Sequence, residues 1–259
     1  MTSRSVESTN TIRQASGKQF RLGAIYPNDV WVDAEAQALV DDFRSFLPQE
    51  VELISAATYI PALDATLPNV ISWATNGDIE EAARRLSRYQ PNCYAYYCTS
   101  ISFARGPGLD LDISRRITAA CGKPATTTST AMIEALHALR VARVAVASPY
   151  LPDVERQFVD FLEAHQINVL KSKSLHLPDG HSVVPPEQMA ALVESCDLPE
   201  VEAIFVGCTG QRLARHVESL EAKLGKPVLT ANQVTSWHAL KLMGVHSPVP
   251  QRGSLFAVR

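Results

Sequence analysis

Arg21-Leu-Gly-Ala-Ile-Tyr-Pro27 and Arg143-Val-Ala-Val-Ala-Ser-Pro149 are two versions of one segment: an arginine, an apolar run suited to a strand, and a proline turn ahead of a helical stretch. The correspondence continues in the same order. Tyr96-Tyr-Cys98-Thr99 is answered by Val206-Gly-Cys208-Thr209, Gly122-Lys-Pro124 by Gly225-Lys-Pro227, and His137-Ala-Leu139 by His238-Ala-Leu240. Four echoes in one order indicate a unit present twice.

Within each unit short β-prone runs alternate with longer amphipathic stretches, which predicts a parallel sheet covered by helices and so an α/β fold. Strands are predicted at Leu22–Tyr26, Val51–Ile54, Cys93–Cys98, Arg143–Ala147, Asn168–Leu170, Ala203–Val206 and Val228–Thr230. Helices are predicted at Asp33–Phe46, Asp78–Tyr89, Ser129–Leu139, Pro152–His165, Pro186–Ser195, Gln211–Leu224 and Asn232–Met243. The expected architecture is two pseudo-symmetric flavodoxin-like lobes with the active site in the cleft between them. Residues 1–19, polar and rich in Ser and Thr, are expected to form a disordered tail; 20–127 with 231–250 the first lobe; and 128–230 the second.

A chain of 259 residues, 46% hydrophobic and 20% charged, can bury roughly 70–75% of its unfolded surface and sustain a full core. Its 24 basic and 27 acidic residues are dispersed, for a net charge of −3, which argues against nucleic acid or an anionic membrane as partner. No stretch supplies the ~18 uninterrupted apolar residues of a membrane span. Five cysteines, odd in number and without a Cys-x-x-Cys, suit a reducing compartment, so a cytoplasmic protein is expected.

Open α/β sheets bind ligands at the carboxyl ends of their strands, and both Cys-Thr pairs are predicted there. An isolated cysteine at a strand end is ordinarily inert core. The duplication changes that reading, because a pseudo-twofold axis would set Cys98 and Cys208 on opposite walls of one cleft. Thr209-Gly-Gln-Arg-Leu213 is expected to open a helix whose unpaired amides, with Arg212, favour a Cys208 thiolate. Those amides and the hydroxyls of Thr99, Ser100 and Thr209 would receive a substrate carboxylate, with Gly210 beside them and Pro27 and Asn28 contributing from the first loop. Two sulfurs allow either of two chemistries: one takes a proton while the other delivers one, or one adds covalently to an activated double bond and leaves after rotation. Cys93, Cys121 and Cys196 are read as packing residues.

Other features carry less. His176-Leu-Pro-Asp-Gly-His181 lacks a third metal ligand and is read as a substrate-covering loop, so no metal and no cofactor is expected. Gly106-Pro-Gly108 is read as a turn that opens no helix. Tyr96 or Tyr97 could shape the cleft, and Ser129 and Thr130 are read as helix caps.

At these residues the chain resembles the aspartate/glutamate racemase superfamily, and within it the branch of arylmalonate decarboxylases and maleate cis–trans isomerases. The resemblance runs from about Arg21 to Met243 and is carried by Cys98-Thr-Ser-Ile-Ser-Phe-Ala-Arg-Gly106, Thr126-Thr-Thr-Ser-Thr-Ala131, the Tyr150-x-x-Asp-Val turn and Gly207-Cys208. It implies a cofactor-independent enzyme, often a homo-oligomer, with Cys208 in proton transfer and Thr99, Ser100 and Tyr150 holding a carboxylate. Arylmalonate decarboxylases carry Gly where Cys98 stands, so the second thiol argues for an isomerase or racemase. Pro27-Asn-Asp-Val-Trp31 departs from the Pro-Ser-x-Asn-Thr loop of maleate isomerases, and Cys98-Thr-Ser departs from the Cys-Asn-Thr of amino-acid racemases.

The expected function is isomerisation or racemisation beside the carboxylate of a small (di)carboxylic acid. The alternatives are an arylmalonate-type decarboxylase with Cys208 as proton donor and, from another class, a non-catalytic carboxylate-binding protein.

Overall fold

The computed structural model describes residues 19–28, 33–60, 64–75 and 78–258. The expected tail, apart from Gln19, and residues 29–32 of the first loop lie outside the described residues.

Two four-stranded parallel sheets form the framework. In the first, β1 (Phe20–Asn28), β2 (Val51–Tyr59), β3 (Cys93–Tyr96) and β4 (Ala125–Thr127) lie in the order β2-β1-β3-β4. In the second, β5 (Arg143–Ser148), β6 (Asn168–Ser174), β7 (Ala203–Val206) and β8 (Val228–Thr230) lie in the order β6-β5-β7-β8. Replacing each strand of one sheet by the strand four places later reproduces the other, so the sequence echoes mark structurally equivalent positions. Each sheet has a doubly wound order, which places its ligand edge at the carboxyl ends of the two central strands.

The helices are α1 (Asp33–Arg44), α2 (Leu67–Trp73), α3 (Asp78–Ser87), α4 (Thr99–Phe103), α5 (Leu109–Cys121), α6 (Thr128–Ala138), α7 (Pro152–Ala164), α8 (Pro186–Ser195), α9 (Val217–Leu224) and α10 (Ala231–Met243). The paired Gly-Lys-Pro motifs have a shared cause. Gly122 and Gly225 end α5 and α9 at φ of 70° and 67°, a left-handed conformation that glycine adopts without a Cβ clash, and the chain then enters β4 and β8. The paired His-Ala-Leu motifs fall on α6 and α10, which follow β4 and β8 and pack against each other. There the Thr235 hydroxyl donates to Thr128 Oγ1 over 2.9 Å. Helix α10 also lies against β3 and β4 of the first sheet.

An aromatic cluster joins α4 of the first half to Tyr150 and α7 of the second. Phe103 of α4 stacks on Phe158 of α7 at 5.0 Å and meets Tyr150 edge-on at 5.9 Å, and all three rings are buried. Burying such side chains contributes about 1.5–3 kcal/mol each, which fixes α4 against the second lobe.

Several expectations are corrected. Gly106–Gly108 is a turn, but Leu109 then opens α5, with Gly108 at the N-cap in the left-handed region at φ 96°. β4, α2, α4 and α5 are additional to the predicted elements, and β3 stops at Tyr96 rather than running to Cys98. Thr127, not Ser129 or Thr130, caps α6, its side chain accepting from Thr130 N. No helix opens at Gln211; residues 211–216 are irregular and α9 starts at Val217.

Candidate active site

Cys98 follows β3 and Cys208 follows β7, the equivalent central strands of the two sheets. Each strand end is anchored in the same way. Tyr97 N donates to Ile25 O of β1 at 2.7 Å, and Gly207 N donates to Ala147 O of β5 at 2.9 Å. The two ends meet directly, since Thr209 Oγ1 donates to Tyr97 O at 3.2 Å. The duplication therefore brings the two thiol-bearing strand ends together.

Cys98 is the N-cap of α4, in extended backbone at φ −157°, and no side chain caps that turn. Its sulfur is 3.7 Å from Ser100 Oγ. Buried serines brace the turn: Ser102 Oγ bonds to Cys98 O at 2.7 Å, and Ser129 Oγ to Thr99 O at 3.3 Å. Tyr97, immediately before Cys98, is stacked on Phe43 of α1 at 4.1 Å, with its hydroxyl 2.8 Å from Ser236 Oγ on α10.

Cys208 is held differently. It adopts φ +75°, where a Cβ-bearing residue is strained, and such residues persist where surrounding structure over-determines them. The loop behind it is pinned by side chains rather than helical bonds. Asn232 Nδ2 donates to Thr209 O at 3.0 Å and to Asp42 Oδ2 at 2.8 Å, and Asp42 Oδ1 accepts from Ala214 N at 3.1 Å. This is why no helix forms at Gln211: α1 and α10 satisfy the loop's peptide groups. Burial raises the Asp42 carboxyl to about 6, against the opposing effects of Asn232, Ala214, Arg212 and Arg252. Arg212 thus acts on Asp42. The amide that reaches the Cys208 sulfur is that of Gly210, at 3.4 Å.

Near both thiols is Tyr150, 1% exposed, whose phenol feels the charges of both Cys208 and Cys98. Burial holds this phenol protonated, far above the ordinary tyrosine range. The hydroxyls of Tyr150 and Thr99 are buried neighbours, with the Cys208 backbone also near that of Tyr150, and neither they nor the Tyr96 hydroxyl near Thr58 and Cys98 has a partner in good hydrogen-bond geometry. Buried hydroxyls are ordinarily well paired, so these loosely paired ones beside the two thiols are candidates to receive a ligand's acceptor atoms.

Of the predicted site residues, Cys98, Thr99, Ser100, Tyr150, Cys208, Thr209 and Gly210 come together. Pro27 lies near the carboxyl end of β1 opposite Thr58, and Asn28 ends that strand opposite Tyr59; the Asn28 side chain lies outside the described residues. Among the described residues no group of three or more His, Cys, Asp or Glu is placed to hold a metal ion. His176 faces Glu155 at 4.0 Å, whereas His181 is buried with Nδ1 3.9 Å from Cys208 Sγ. The sequence marked His181 only as part of a covering loop and not as a neighbour of Cys208, and it left Asp42 and Asn232 unmarked, since the contacts join residues 27, 172 and 190 positions apart.

Two of the three remaining cysteines sit deep in the core. Cys93 and Cys196 are fully buried, and desolvation pushes their thiols up to about 12 and about 11, so they stay protonated and inert.

The sequence model of the arylmalonate decarboxylase family matches residues 71–256, most of the chain and both thiol loops. The chain belongs to the arylmalonate decarboxylase family. Among the family's relatives, the arylmalonate decarboxylase of Bordetella bronchiseptica is 30% identical over 184 residues, covering 69% of this chain and 76% of that protein. The maleate isomerase of Pseudomonas putida KT2440 is 24% identical over 247 residues, covering 92% and 97%. A structure of the Nocardia farcinica maleate cis–trans isomerase, a Cys-to-Ser variant with a covalently bound succinylcysteine intermediate, shares the fold with a TM-score of 0.80 at 23% identity, covering 92% of this chain and 98% of that one. This places the chain in the decarboxylase and maleate isomerase branch of the aspartate/glutamate racemase superfamily.

Proposed function

We propose that this protein is a cofactor-independent isomerase or racemase of a small (di)carboxylic acid, maleate isomerase-like, working at the carbon next to a carboxylate with Cys98 and Cys208. The observation that carries the reading is the tie between Thr209 and Tyr97, which sets two thiols from equivalent strand ends about one buried tyrosine.

In this reading the Thr99 and Tyr150 hydroxyls donate to the substrate carboxylate, and the first amides of α4 add to that anion-holding edge. Fixed donors of this kind stabilise charge that develops on the carboxylate as the neighbouring carbon reacts, by several kcal/mol. For an unsaturated diacid, a thiolate forms a C–S bond at one alkene carbon while the other thiol gives its proton to the adjacent carbon. The former double bond, now single, rotates; removal of that proton and departure of sulfur regenerate the alkene and both cysteines. The succinylcysteine of the Nocardia farcinica variant is the adduct such an addition would give from maleate. For a substrate with a hydrogen beside its carboxylate, one sulfur removes that proton and the other returns one from the opposite face.

Five free thiols and a dispersed charge of −3 favour a cytoplasmic setting. Among the described residues no helix is long and apolar enough to cross a membrane.

Proton NMR in deuterated water against dicarboxylates, amino acids and arylmalonates tests the proposal. Isomerisation or deuterium exchange at the carbon beside the carboxylate is expected. Release of carbon dioxide from an arylmalonate without exchange of the other acids would instead establish the second reading, a decarboxylase with Cys208 as proton donor, which the 30% identity to the Bordetella enzyme favours.

A further inference from the structure

His181 opens a short 3-10 turn, His181–Val183, in the segment between β6 and α8. Its ring is fixed at both nitrogens. Nε2 lies 3.0 Å from Leu177 O, and since a carbonyl can only accept, Nε2 carries the hydrogen. The neutral imidazole then has its lone pair on Nδ1, which faces Cys208 Sγ at 3.9 Å.

The residues after Cys208 hold this arrangement. Gln211 Nε2 donates to His181 O at 2.8 Å, tying the turn to the thiol's own loop. Gly210 lets the two backbones close: a Cβ there would sit 3.2 Å from both His181 C and Ser182 N, and 3.3 Å from the Cys208 sulfur. Tyr150 stands edge-on to the imidazole at 6.1 Å. A loop built only to cover a pocket needs none of this registry between an imidazole nitrogen and a sulfur.

We infer that His181 is the proton acceptor for Cys208. The S–H bond breaks, an N–H bond forms at Nδ1, and a thiolate–imidazolium pair results, with the Gly210 amide donating to the sulfur. The proton returns from Nδ1 to Sγ when the sulfur is released, so no other reactant is needed. At the beginning of the cycle Cys208 thereby has a base beside it, and the Ser100 hydroxyl lies 3.7 Å from Cys98 Sγ. Cys208 starts as thiolate. The assignment rests on the two-thiol reading, but its test uses no substrate.

In a Cys98→Ser background, the thiolate ultraviolet absorbance and the rate of Cys208 alkylation by iodoacetamide, located by mass spectrometry, are measured near neutral pH with and without His181→Gln. Loss of the absorbance and alkylation slowed about tenfold or more by His181→Gln are expected. Unchanged absorbance and rate overturn the inference. Should His181→Gln fail to fold, nitrogen NMR of the His181 ring in the wild type and in Cys208→Ser decides: a displaced titration midpoint supports the pairing, and an identical midpoint overturns it. Absence of turnover on every acid in the substrate panel would remove the isomerase reading and leave these results as they are.

Discussion

Thr209 Oγ1 donates to Tyr97 O across 3.2 Å, so the residue after one thiol is bonded to the residue before the other. This buried hydrogen bond ties the two thiol-bearing strand ends directly, alongside the aromatic packing of α4 on α7. Thr209→Val keeps the shape and removes the donor, leaving the Tyr97 carbonyl unpaired. A stability loss of about 1–3 kcal/mol in urea unfolding is expected, with a larger proportional fall in kcat than in substrate affinity.

Cys98→Ala and Cys208→Ala should each abolish turnover while leaving carboxylate binding, measured by calorimetry with a non-reacting acid. Full activity in either single variant would remove the two-thiol mechanism. Cys98→Gly should shift any decarboxylase capacity toward one product hand, and an unchanged racemic product on chiral chromatography would defeat that expectation.

Tyr150→Phe retains the ring contacts with Phe103 and Phe158 but deletes a buried hydroxyl that has no partner in good hydrogen-bond geometry within the protein. Thermal stability should be unchanged or slightly higher, because an unsatisfied polar group leaves the core. KM should rise about tenfold, the loss of one hydrogen bond to a charged group. A lowered Tm with unchanged KM would show that the hydroxyl serves folding rather than binding.

Gly210→Ala places a methyl against the backbone of His181 and Ser182, where no flexible side chain can yield. The turn or the thiol loop must move, with an expected cost of about 1–3 kcal/mol in denaturant unfolding and slower alkylation of Cys208. Gly108→Ala is the control: its Cβ would meet nothing within 4 Å, so any loss there reflects its positive φ alone and should leave Cys208 reactivity intact.

Asp42 supplies a pH dependence of stability. Burial raises its carboxyl from 3.8 to about 6, so between those values the folded chain keeps a proton that the unfolded chain releases. This contribution is fully present below the unfolded value and is lost as pH rises through the folded one. Stability should fall by up to about 3 kcal/mol across that window and level off above it. Urea unfolding of wild type and Asp42→Asn over this range should differ in slope, the variant being flatter. The loop pinned by Asn232 and Asp42 carries Thr209, so an activity step in the same window is expected only in the wild type.

The sequence by itself determined the duplicated α/β framework and the placement of Cys98 and Cys208 after equivalent strands, because strand periodicity, Gly-Lys-Pro connectors and strand-end motifs are local features that survive in the linear text. It did not reveal α4, whose five residues are too few to display a helical period, or α5, whose opening Leu-Asp-Leu-Asp alternates like a strand. It also placed a helix at Gln211 where Asn232 and Asp42 hold an irregular loop. Only the tertiary structure decided how each sulfur is surrounded. The contacts of Cys208 with His181, of Thr209 with Tyr97 and of Asp42 with Asn232 join distant segments, and a hydrogen bond depends on position in space, which no local run of residues encodes.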